Sequence, residues 1–497
     1  MTAQAALLVV GDALLDRDVC GRVERLAPDA PVPVVSGPRR STRAGGAALA
    51  AWLAAADGRP VTLVTALGDD PDSATLRRLL SGRVDLVELP LTGALSSKTR
   101  VLADGRPLLR LDDGEGRARE GTRAAARAIA EATAVLVADY GRGTAEVLRE
   151  ELAAAATRVP VAWDPHPRGR PPVPGVRLAT PSAAEAHAFA GPAADAEEAE
   201  HSSELHRAAQ DAGRLVRAWR AASVAVTLGG RGALLSHGAT PLLVPTPVTA
   251  DGDACGAGDR FAATAAGLLA DGELVETAVR EAVHAATRYV AEGGARSLAM
   301  DDHAAAEPAG PPADAQPTSP TGPPSHAEPT DDALRTAARV RAAGGTVVAA
   351  GGCFDLLHAG HVALLQAARR TGDCLVVCVN SDASVRRRKG DGRPLVPEAD
   401  RIRVLRALEC VDAVAVFDED TPERLLGELR PHIWAKGGDY ALAGLPEAPL
   451  VESWGGQVVL FPYLDGRSTT GIAERAALAP RTADARPKVA GGGRRPR

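Results

Sequence analysis

The sequence has few cysteines and contains no long apolar run. Its six cysteines form no CxxC pair, and Cys374 and Cys378 fall in the apolar segment CLVVCV, so buried thiols are favoured over disulfides or a zinc site. No segment approaches the roughly 20 apolar residues of a membrane span. The apolar run at residues 5–10 is too short for a signal sequence. These absences predict a cytoplasmic protein.

Lysine is scarce as well. Among 57 lysines and arginines, the lysines are Lys98, Lys389, Lys436 and Lys488. Because arginine is used almost everywhere else, a retained lysine indicates a place where a compact ammonium is needed. The net charge of −6 over 497 residues offers no general basic surface, so we expect neither nucleic acid nor a membrane as a partner.

Length and composition predict two domains of the α/β class. The chain of 497 residues exceeds a single core, and 45% hydrophobic with only 3% aromatic residues is typical of sheets covered by Ala-rich helices. A stretch with eight prolines and almost no large apolar side chain separates the two parts. The predicted organisation is a first domain at residues 1–300, a linker at 301–331, a second domain at 332–480 and a disordered basic tail at 481–497. Since the linker has no apolar anchor, little fixed contact between the domains is expected.

The segment DGDACGAGDRF, residues 251–261, predicts an anion site at the start of a helix. Apolar residues recur from Phe261 onward at helical spacing, so the first turn would present free backbone N–H groups to a phosphate. This first turn is predicted to run from Gly256 to Asp259. Asp259 would repel a phosphate that merely binds, yet it suits a base that takes a proton from an attacking hydroxyl. An ordinary capped loop is the alternative.

Carboxylates and glycines elsewhere in the first domain also follow predicted strands, where ligands bind in α/β sheets. Residues 97–112, SKTRVLADGRPLLRLD, predict a β-hairpin turning at Asp104-Gly105, either a lid over a phosphorylated ligand or a plain surface hairpin. Residues 27–37, APDAPVPVVSG, are too rich in proline for a central strand, and residues 43–49, RAGGAAL, predict the opening of a helix. The candidate sugar-binding residues are Asp12, Asp16, Gly45, Gly46, Lys98, Arg100 and Asp139.

In order and spacing, GDALLD, AGGAA, TLGGRGALL and DACGAGD resemble the ribokinase family of sugar kinases over residues 5–297. The resemblance implies that Asp259 is the catalytic base and that the kinase domain forms a homodimer. It also implies that the transferred group is held by four N–H groups, which we call the phosphoryl loop: those of Cys255, Gly256, Ala257 and Gly258. It further implies ATP contacts from Glu185, Thr227, Gly229 and Gly232, with Glu185 acting indirectly on Mg²⁺. Three positions depart from the family pattern: Leu49 and Ser182 replace asparagines, and His166 replaces a lysine.

The second domain contains GGCFDLLHAGH, in which His358 and His361 bracket the predicted start of a helix near Gly360. Two imidazoles and free N–H groups would converge on one anion, whereas two histidines without a third ligand make an incomplete zinc site. The motif resembles the HxGH signature of cytidylyltransferase-like nucleotidyltransferases, which implies a Rossmann-like fold with His358 and His361 acting on a triphosphate. The other candidate nucleotide-binding residues are Phe354, Asp355, Gly360, Asp382, Lys389, Arg393, Lys436, Ser468, Thr469 and Thr470.

A ribokinase-like domain followed by an HxGH domain, with the segments APVPVV, NSDAS and KGGDY, resembles the bifunctional heptose enzymes that make ADP-heptose precursors. The resemblance implies that ATP phosphorylates O1 of D-glycero-D-manno-heptose 7-phosphate, and that ATP then transfers AMP to heptose 1-phosphate. Mg²⁺ would enter with ATP, and a separate phosphatase would remove the 7-phosphate between the two steps. Two alternatives stay open: a pair acting on another sugar or alcohol phosphate, and a degenerate kinase module attached to one active transferase.

Overall fold

The computed structural model describes residues 4–103, 106–191, 203–250, 252–295, 300–301, 329–437 and 445–462. Most of the predicted linker, the turn Asp104-Gly105, the triad Ser468, Thr469 and Thr470, and the basic tail therefore lie outside the described residues. None of the described helices is both long and apolar enough to cross a membrane. All six cysteines lie in the described ranges and are free thiols, as predicted.

Twenty strands are described. They are β1 (Leu7–Gly11), β2 (Ala13–Leu26), β3 (Pro33–Gly46), β4 (Val61–Leu67), β5 (Asp85–Thr92), β6 (Ser97–Ala103), β7 (Arg106–Asp113), β8 (Arg117–Ala118), β9 (Val135–Ala138), β10 (Val161–Asp164), β11 (Leu178–Ala179), β12 (Val224–Thr227), β13 (Ala233–Ser236), β14 (Leu242–Val244), β15 (Met300–Asp301), β16 (Val347–Gly352), β17 (Cys374–Asn380), β18 (Ala413–Phe417), β19 (Ile433–Gly437) and β20 (Gln457–Phe461).

The described helices alternate with most of these strands. They are α1 (Ala47–Ala56), α2 (Pro71–Leu80), α3 (Arg123–Glu131), α4 (Thr144–Val147), α5 (Arg149–Ala156), α6 (Ala183–Ala190), α7 (Glu204–Trp219), α8 (Ala257–Ala270), α9 (Val275–Ala291), α10 (Pro329–Ala342), α11 (Ala359–Arg369), α12 (Asp382–Lys389), α13 (Glu398–Arg406), α14 (Glu423–Leu429) and α15 (Ala448–Glu452).

The first half is built on a parallel sheet with helices on both faces. β1 is buried at every position and pairs in parallel with β4 and β9. Leu7 and Val9 face the core that contains α1 and α8, whereas Leu8 and Val10 face the core that contains α3 and α5. A continuous apolar run is typical of a strand covered on both faces. The carboxyl ends of β1, β9 and β10 meet at one edge, where the predicted ligand residues lie.

A second sheet of five strands, in the order β15-β3-β2-β6-β7, is called the small sheet below. The predicted hairpin is confirmed as the antiparallel pair β6 and β7, but two long strands missing from the prediction lie beside it. The sequence predicts no central strand at residues 27–37. Pro33 begins β3, but the described pairings of residues 33–36 are with β2 alone, and the β2–β3 pairing is irregular near Pro38. Residues 43–46 likewise end β3, and the helix begins only at Ala47.

The second half is a five-stranded parallel sheet in the order β18-β17-β16-β19-β20. β16 starts at the centre, and the strand order reverses between β17 and β19, on either side of it. Such a doubly wound arrangement places a ligand site at the carboxyl end of β16, where the order reverses. The predicted Rossmann-like architecture with the HxGH motif after the first strand is therefore confirmed.

The two halves touch through the edges of their sheets. β14 pairs in parallel with β20 at Leu242 and Leu460, and the Leu460 N–H donates to the Pro241 carbonyl at 3.0 Å. A cleft of about 300 Å³ between the halves is lined by residues that include Leu228 and Ile433. The expectation of little fixed contact is wrong because each half has an edge strand with unpaired backbone groups, and each covers the other's edge.

Candidate active sites

The phosphoryl loop leads into α8, as the sequence predicts. Gly256 caps the helix with a φ of 81°, and a Cβ at this position would lie 2.6 Å from the Tyr289 hydroxyl and 2.7 Å from Leu49 Cδ2. Glycine is required here both by the left-handed backbone and by the lack of space. Leu49 is buried in α1 and packs against this loop. The residue that departs from the family pattern therefore supports the conformation of the loop.

Two of the four loop N–H groups are used within the protein. The Cys255 N–H donates to Asp253 Oδ1 at 3.0 Å, and the Ala257 N–H donates to the Ala254 carbonyl at 3.1 Å. Among the described residues, the N–H groups of Gly256 and Gly258 have no partner. The anion-binding part of the predicted loop therefore narrows to the two glycine N–H groups at the start of α8.

Asp259 lies buried in the first turn of α8. The Tyr140 hydroxyl donates to Asp259 Oδ1 at 2.7 Å. Burial raises the pKa of Asp259 to about 7, although the Tyr140 hydrogen bond and the Lys98 charge act in the opposite direction. A carboxylate with a pKa near neutrality can accept a proton at physiological pH. Tyr140 was missed as a site residue, although its position directly after β9 was a signal.

Asp12 and Asp139, both predicted sugar contacts, accept hydrogen bonds from backbone N–H groups of the chain. The Asp12 carboxylate accepts hydrogen bonds from the N–H groups of Tyr140, Arg142 and Thr144, at 3.0, 2.8 and 3.1 Å. The Asp139 carboxylate accepts from the Gly141 N–H at 2.8 Å. Burial and the neighbouring Asp12 charge raise the pKa of Asp139 to about 7. Both carboxylates shape the turn that carries Tyr140.

Asp16 and Lys98 lie side by side on the small sheet. They are paired in the β2–β6 register, and the Lys98 ammonium lies 5.5 Å from the centre of the Tyr140 ring. Burial raises the pKa of Asp16, even though Arg43 and Lys98 oppose the shift. A Cβ at Gly45 would lie 2.8 Å from Asp16 Oδ2, so this glycine leaves room for the carboxylate. This pair fits the predicted sugar site.

Arg100 lies two residues beyond Lys98, but its guanidinium is already bound. It donates to Asp18 at 2.8 Å and to Asp253 Oδ2 at 3.1 Å. The predicted contact to a sugar phosphate would need these bonds to be given up. Gly46, another predicted sugar contact, lies with a φ of 57° where a Cβ would meet the Asp12 carbonyl at 2.7 Å.

The predicted ATP turn follows β12. Thr227 ends that strand, a short 3-10 turn runs over Gly229–Arg231, and a Cβ at Gly232 would collide with the Val244 carbonyl. The Thr246 hydroxyl donates to the Gly230 carbonyl at 2.8 Å. The residues after β14 therefore hold the glycine turn in place.

Glu185 and Ser182 form a capping box at the start of α6. Glu185 Oε2 accepts hydrogen bonds from the Ser182 N–H at 2.9 Å and from its hydroxyl at 2.8 Å. In the described part of the chain, no three His, Cys, Asp or Glu side chains are arranged to hold a metal ion. This donor set fits a metal that is held mainly by phosphate and water and reached by Glu185 through the solvent shell.

His166 follows β10 in the position of the expected lysine. Its Nδ1 accepts a hydrogen bond from the Arg168 N–H at 3.1 Å. Burial and the Arg168 charge lower the pKa of His166. The side chain is therefore a neutral group near the kinase site, in contrast to the lysine that it replaces.

In the second half, His358 caps α11 and His361 lies in its first turn. His358 Nδ1 accepts from the Gly360 N–H at 3.2 Å, and the two imidazole rings stack with centres 3.9 Å apart. Burial and the His358 charge lower the pKa of His361 to about 4. The His361 imidazole is thus neutral before substrate arrives, and a polyphosphate would raise its affinity for protons.

The residues that precede α11 shape the entrance to the site formed by His358 and His361. Phe354 has a φ of 48°, and its ring centre lies 5.2 Å from that of His361. The Asp355 carboxylate accepts from Arg393 at 2.6 Å and from the Leu395 N–H at 2.6 Å. Burial would raise the pKa of Asp355, but these bonds and one from the Val396 N–H lower it. Asp355 and Arg393 bind one another, and their contacts to nucleotide stay predictions.

Arg401 of α13 was missed by the sequence analysis. Its fully buried guanidinium donates to the Cys353 carbonyl at 2.7 Å, to the Asn380 carbonyl at 2.9 Å and to Asp382 at 2.6 Å. It thereby joins the ends of β16 and β17 and holds Asp382, a predicted nucleotide contact. A charged residue inside an ordinary amphipathic helix gives no local signal of such a role.

The two lysines of the second half lie in different surroundings. Lys436 is buried, with its ammonium 3.0 Å from Glu447 and 4.9 Å from the centre of the Trp434 ring, and its nucleotide contact stays a prediction. Lys389 ends α12, is exposed, and contributes to lowering the pKa of His361. Lys389 is therefore the lysine that fits a phosphate contact.

Comparison with known proteins agrees with this geometry. Residues 4–302 match the pfkB family of carbohydrate kinases, and residues 349–455 match the cytidylyltransferase-like family. The bifunctional protein HldE of Streptomyces coelicolor is 62% identical over 476 residues, covering 96% of this chain and 97% of the relative. The protein of the same name from Pelobacter propionicus is 37% identical and covers 95% of this chain and 96% of the relative.

Among solved structures, Arabidopsis thaliana ribokinase complexed with ribose and ATP aligns with a TM-score of 0.45 and 21% identity, over 59% of this chain and 97% of that chain. Thermotoga maritima ribokinase gives 0.45 and 20%, over 60% and 96%. The prediction of a sugar kinase joined to a nucleotidyltransferase is confirmed by the family matches and the full-length relatives. The chain belongs to the family of bifunctional HldE proteins, enzymes in which a pfkB-type carbohydrate kinase is followed by a cytidylyltransferase-like nucleotidyltransferase.

Proposed function

We propose that the first half phosphorylates D-glycero-D-manno-heptose 7-phosphate at O1 with ATP, and that the second half joins AMP from ATP to heptose 1-phosphate. The observation that carries the proposal is a buried carboxylate, Asp259, beside two free glycine N–H groups, followed in the same chain by the stacked His358 and His361. The full-length likeness to bifunctional HldE proteins supports the same pairing of activities.

In the kinase reaction, Asp259 takes the proton from the O1 hydroxyl. O1 then forms its bond to the γ-phosphorus while the bond from that phosphorus to the bridging oxygen breaks, and ADP leaves. The N–H groups of Gly256 and Gly258 stabilise the negative charge of the transferred group. Asp16 would hold the sugar hydroxyls and Lys98 the 7-phosphate, a role supported by their neighbouring positions on β2 and β6.

Mg²⁺ would enter with ATP. Glu185, with one carboxylate oxygen used in the capping box, would hold it through water, and Asp164 lies close enough that its own pKa is raised partly by Glu185, after burial and Asp259. When bound, the ion neutralises charge on the β- and γ-phosphates.

In the transferase reaction, an oxygen of the heptose 1-phosphate attacks the α-phosphorus of ATP, and pyrophosphate leaves. The attacking phosphate is already ionised, so no base is needed. His358 and His361 donate hydrogen bonds to the oxygens on which charge grows, assisted by Lys389 and the N-terminus of α11. The residues of this half that lie outside the described ranges, Ser468, Thr469 and Thr470, stay predicted contacts to the triphosphate.

The proposal has a direct test with the full-length protein. Neither half removes the 7-phosphate, so heptose 7-phosphate and ATP should give the 1,7-bisphosphate and stop there. Adding a phosphatase specific for the 7-position should then release ADP-heptose, seen by mass spectrometry. ADP-heptose formed without that phosphatase would contradict the scheme, and turnover of other sugar phosphates in place of the heptose would favour a different substrate.

A homodimer through the kinase half is part of the proposal. Leu109 and Leu111 on β7 are 54% and 47% exposed and pair with Val101 and Thr99 on β6, so one face of the small sheet offers apolar side chains to solvent. Sedimentation of the full-length protein should give twice the chain mass, and Leu109→Arg should shift it towards the monomer. A wild-type monomer at micromolar concentration would exclude this arrangement.

A further inference from the structure

Four charged side chains connect the small sheet to the phosphoryl loop. Asp18 on β2 accepts from Arg43 on β3 at 2.6 Å and from Arg100 on β6 at 2.8 Å. Arg100 also donates to Asp253 Oδ2 at 3.1 Å. This chain of bonds crosses three neighbouring strands and ends two residues before the phosphoryl loop.

Asp18 gives the cluster a fixed geometry. It is only 1% exposed, and Arg43 is 2% exposed, so water hardly competes for their bonds. In such buried surroundings, separating the carboxylate from either of its two guanidinium partners costs much free energy. Arg100 is thereby held at one angle and cannot follow a ligand freely.

Asp253 transmits this geometry to the loop. Its Oδ1 accepts the Cys255 N–H at 3.0 Å while its Oδ2 accepts from Arg100. Arg43 Nη2 lies 3.9 Å from the Cys255 sulfur, which adds a second contact between sheet and loop. The conformation that frees the Gly256 and Gly258 N–H groups therefore depends on the position of the small sheet.

We propose that Arg100 is a positioning residue. It couples the position of the small sheet relative to the active site to the formation of the phosphoryl anion site. The proposal rests on the proposed kinase function of this site. A sheet displaced from the active site would release Asp253, and the loop would lose its order. Transfer of a phosphoryl group to water would then be suppressed until the sugar and the sheet are in place.

Arg100→Ala separates this role from sugar binding. A positioning role predicts that kcat for sugar phosphorylation falls about tenfold to a hundredfold, within the range of a typical coupling between two sites, while KM for the sugar phosphate changes little. Arg100→Lys should recover only part of kcat, because one ammonium cannot reach both carboxylates. A rise in KM with kcat preserved would overturn the proposal and make Arg100 a phosphate ligand.

Asp253→Asn and Arg100→Ala together form a double-mutant cycle that tests the link between these two residues. Asparagine is suitable because its amide oxygen can still accept the Cys255 N–H. If Arg100 acts through Asp253, the double variant should be no slower than Arg100→Ala alone. Multiplicative losses would show independent roles and overturn the proposal. Arg127→Ala is the matched control, since its pair with Glu131 at 2.8 Å lies on the exposed surface of α3, and it should leave both activities unchanged.

Hydrogen exchange tests the coupling without any substrate. In Arg100→Ala, the peptide covering residues 253–259 should exchange at least about fivefold faster than in the wild type, whereas peptides from β16 and β17 should not change. Adenylyl transfer by the same sample shows that the chain is folded. Unchanged exchange in Arg100→Ala would overturn the coupling even if the kinase works. Faster exchange in Arg100→Ala together with a wild-type protein that phosphorylates no sugar would count against the proposed function instead.

Discussion

The kinase and transferase sites both use the N-terminus of a helix, but they prepare it differently. Gly256 caps α8 without any side chain, and a buried carboxylate follows three residues later. His358 caps α11 with its own imidazole, and a second imidazole follows three residues later. The first arrangement leaves backbone N–H groups beside a base, whereas the second places imidazole donors beside the same kind of N–H groups.

The difference follows from the nucleophile that each site must serve. A sugar hydroxyl has to lose its proton, so the kinase site needs a base close to the phosphate that the base itself repels. A sugar phosphate is already ionised, so the transferase site can omit the carboxylate and surround the leaving group with donors. Burial shifts both groups towards neutrality, raising the pKa of Asp259 to about 7 and lowering that of His361 to about 4.

The largest expected effect tests the base. Asp259→Asn should lower kcat for sugar phosphorylation by about 10²- to 10⁴-fold, the contribution of a general base. ATP affinity should be equal or higher, because a negative charge near the γ-phosphate is removed. Adenylyl transfer by the same protein is the control and should stay at the wild-type rate. Loss of ATP binding together with activity would show that Asp259 is structural.

The second effect tests the imidazole site. His361→Ala should lower kcat for adenylyl transfer by about 10²- to 10³-fold, comparable to the loss of one anion-hole donor. KM for ATP should rise much less, because the charge on pyrophosphate develops only in the transition state. Sugar phosphorylation, measured on the same preparation, should not change. A rise in KM at constant kcat would show that His361 acts in ground-state binding.

A pH profile sharpens the contrast between the two sites. Kinase kcat/KM should fall about tenfold per pH unit below about pH 7, because protonated Asp259 is no longer a base. After correction for ionisation of the substrate phosphates near pH 6, transferase kcat/KM should show no change due to His361 from pH 8 to about pH 5, since the pKa of His361 in the free enzyme is about 4. Parallel profiles would contradict the assigned roles.

Tyr140→Phe should shift the acidic limb of the pH profile of the kinase reaction and leave the pH profile of the transferase reaction unchanged. The Tyr140 hydroxyl stabilises the ionised form of Asp259, so its removal raises the pKa of Asp259 further and shifts the limb to higher pH by up to about one unit. The rate on the plateau above that pH should change less. A limb that stays in place would mean that another group controls the profile.

The smallest effect compares lysines of the two halves. Lys98→Ala should raise KM for the sugar phosphate about tenfold, as expected for one lost charged hydrogen bond, and leave KM for ATP nearly unchanged. Lys436→Ala should instead lower thermal stability, because Glu447 would be left buried without its partner. An unfolding curve and a substrate titration of each variant would distinguish the two cases.

The starts of both catalytic helices could be read from the sequence, because glycines and histidines mark these turns by local chemistry. The parallel strands could be read for the same reason, since fully buried runs such as that of β1 are continuous and apolar. β3 was missed because prolines normally argue against a strand. β2 contains no proline, but its pairing with β3 and with the hairpin is not visible in its own segment.

Side-chain partners were much harder to predict than elements. Asp18 and Arg100 are 82 residues apart, and Arg100 and Asp253 are 153 apart, so no spacing rule relates them. Arg100 and Lys436 were expected to meet phosphate because they carry charge near motifs, but both meet carboxylates of the chain itself. Which charges are already neutralised depends on three-dimensional packing.

The pairing of β14 with β20 has a consequence for anyone who divides this protein. Separating the halves would expose one edge of the sheet on each fragment. The Pro241 carbonyl on one fragment and the Leu460 N–H on the other would lose their mutual hydrogen bond and face solvent. Fragments of this kind tend to self-associate and aggregate. In the intact chain each half covers the sheet edge of the other and so keeps it from aggregating. A soluble kinase fragment would need charge or proline introduced along β14.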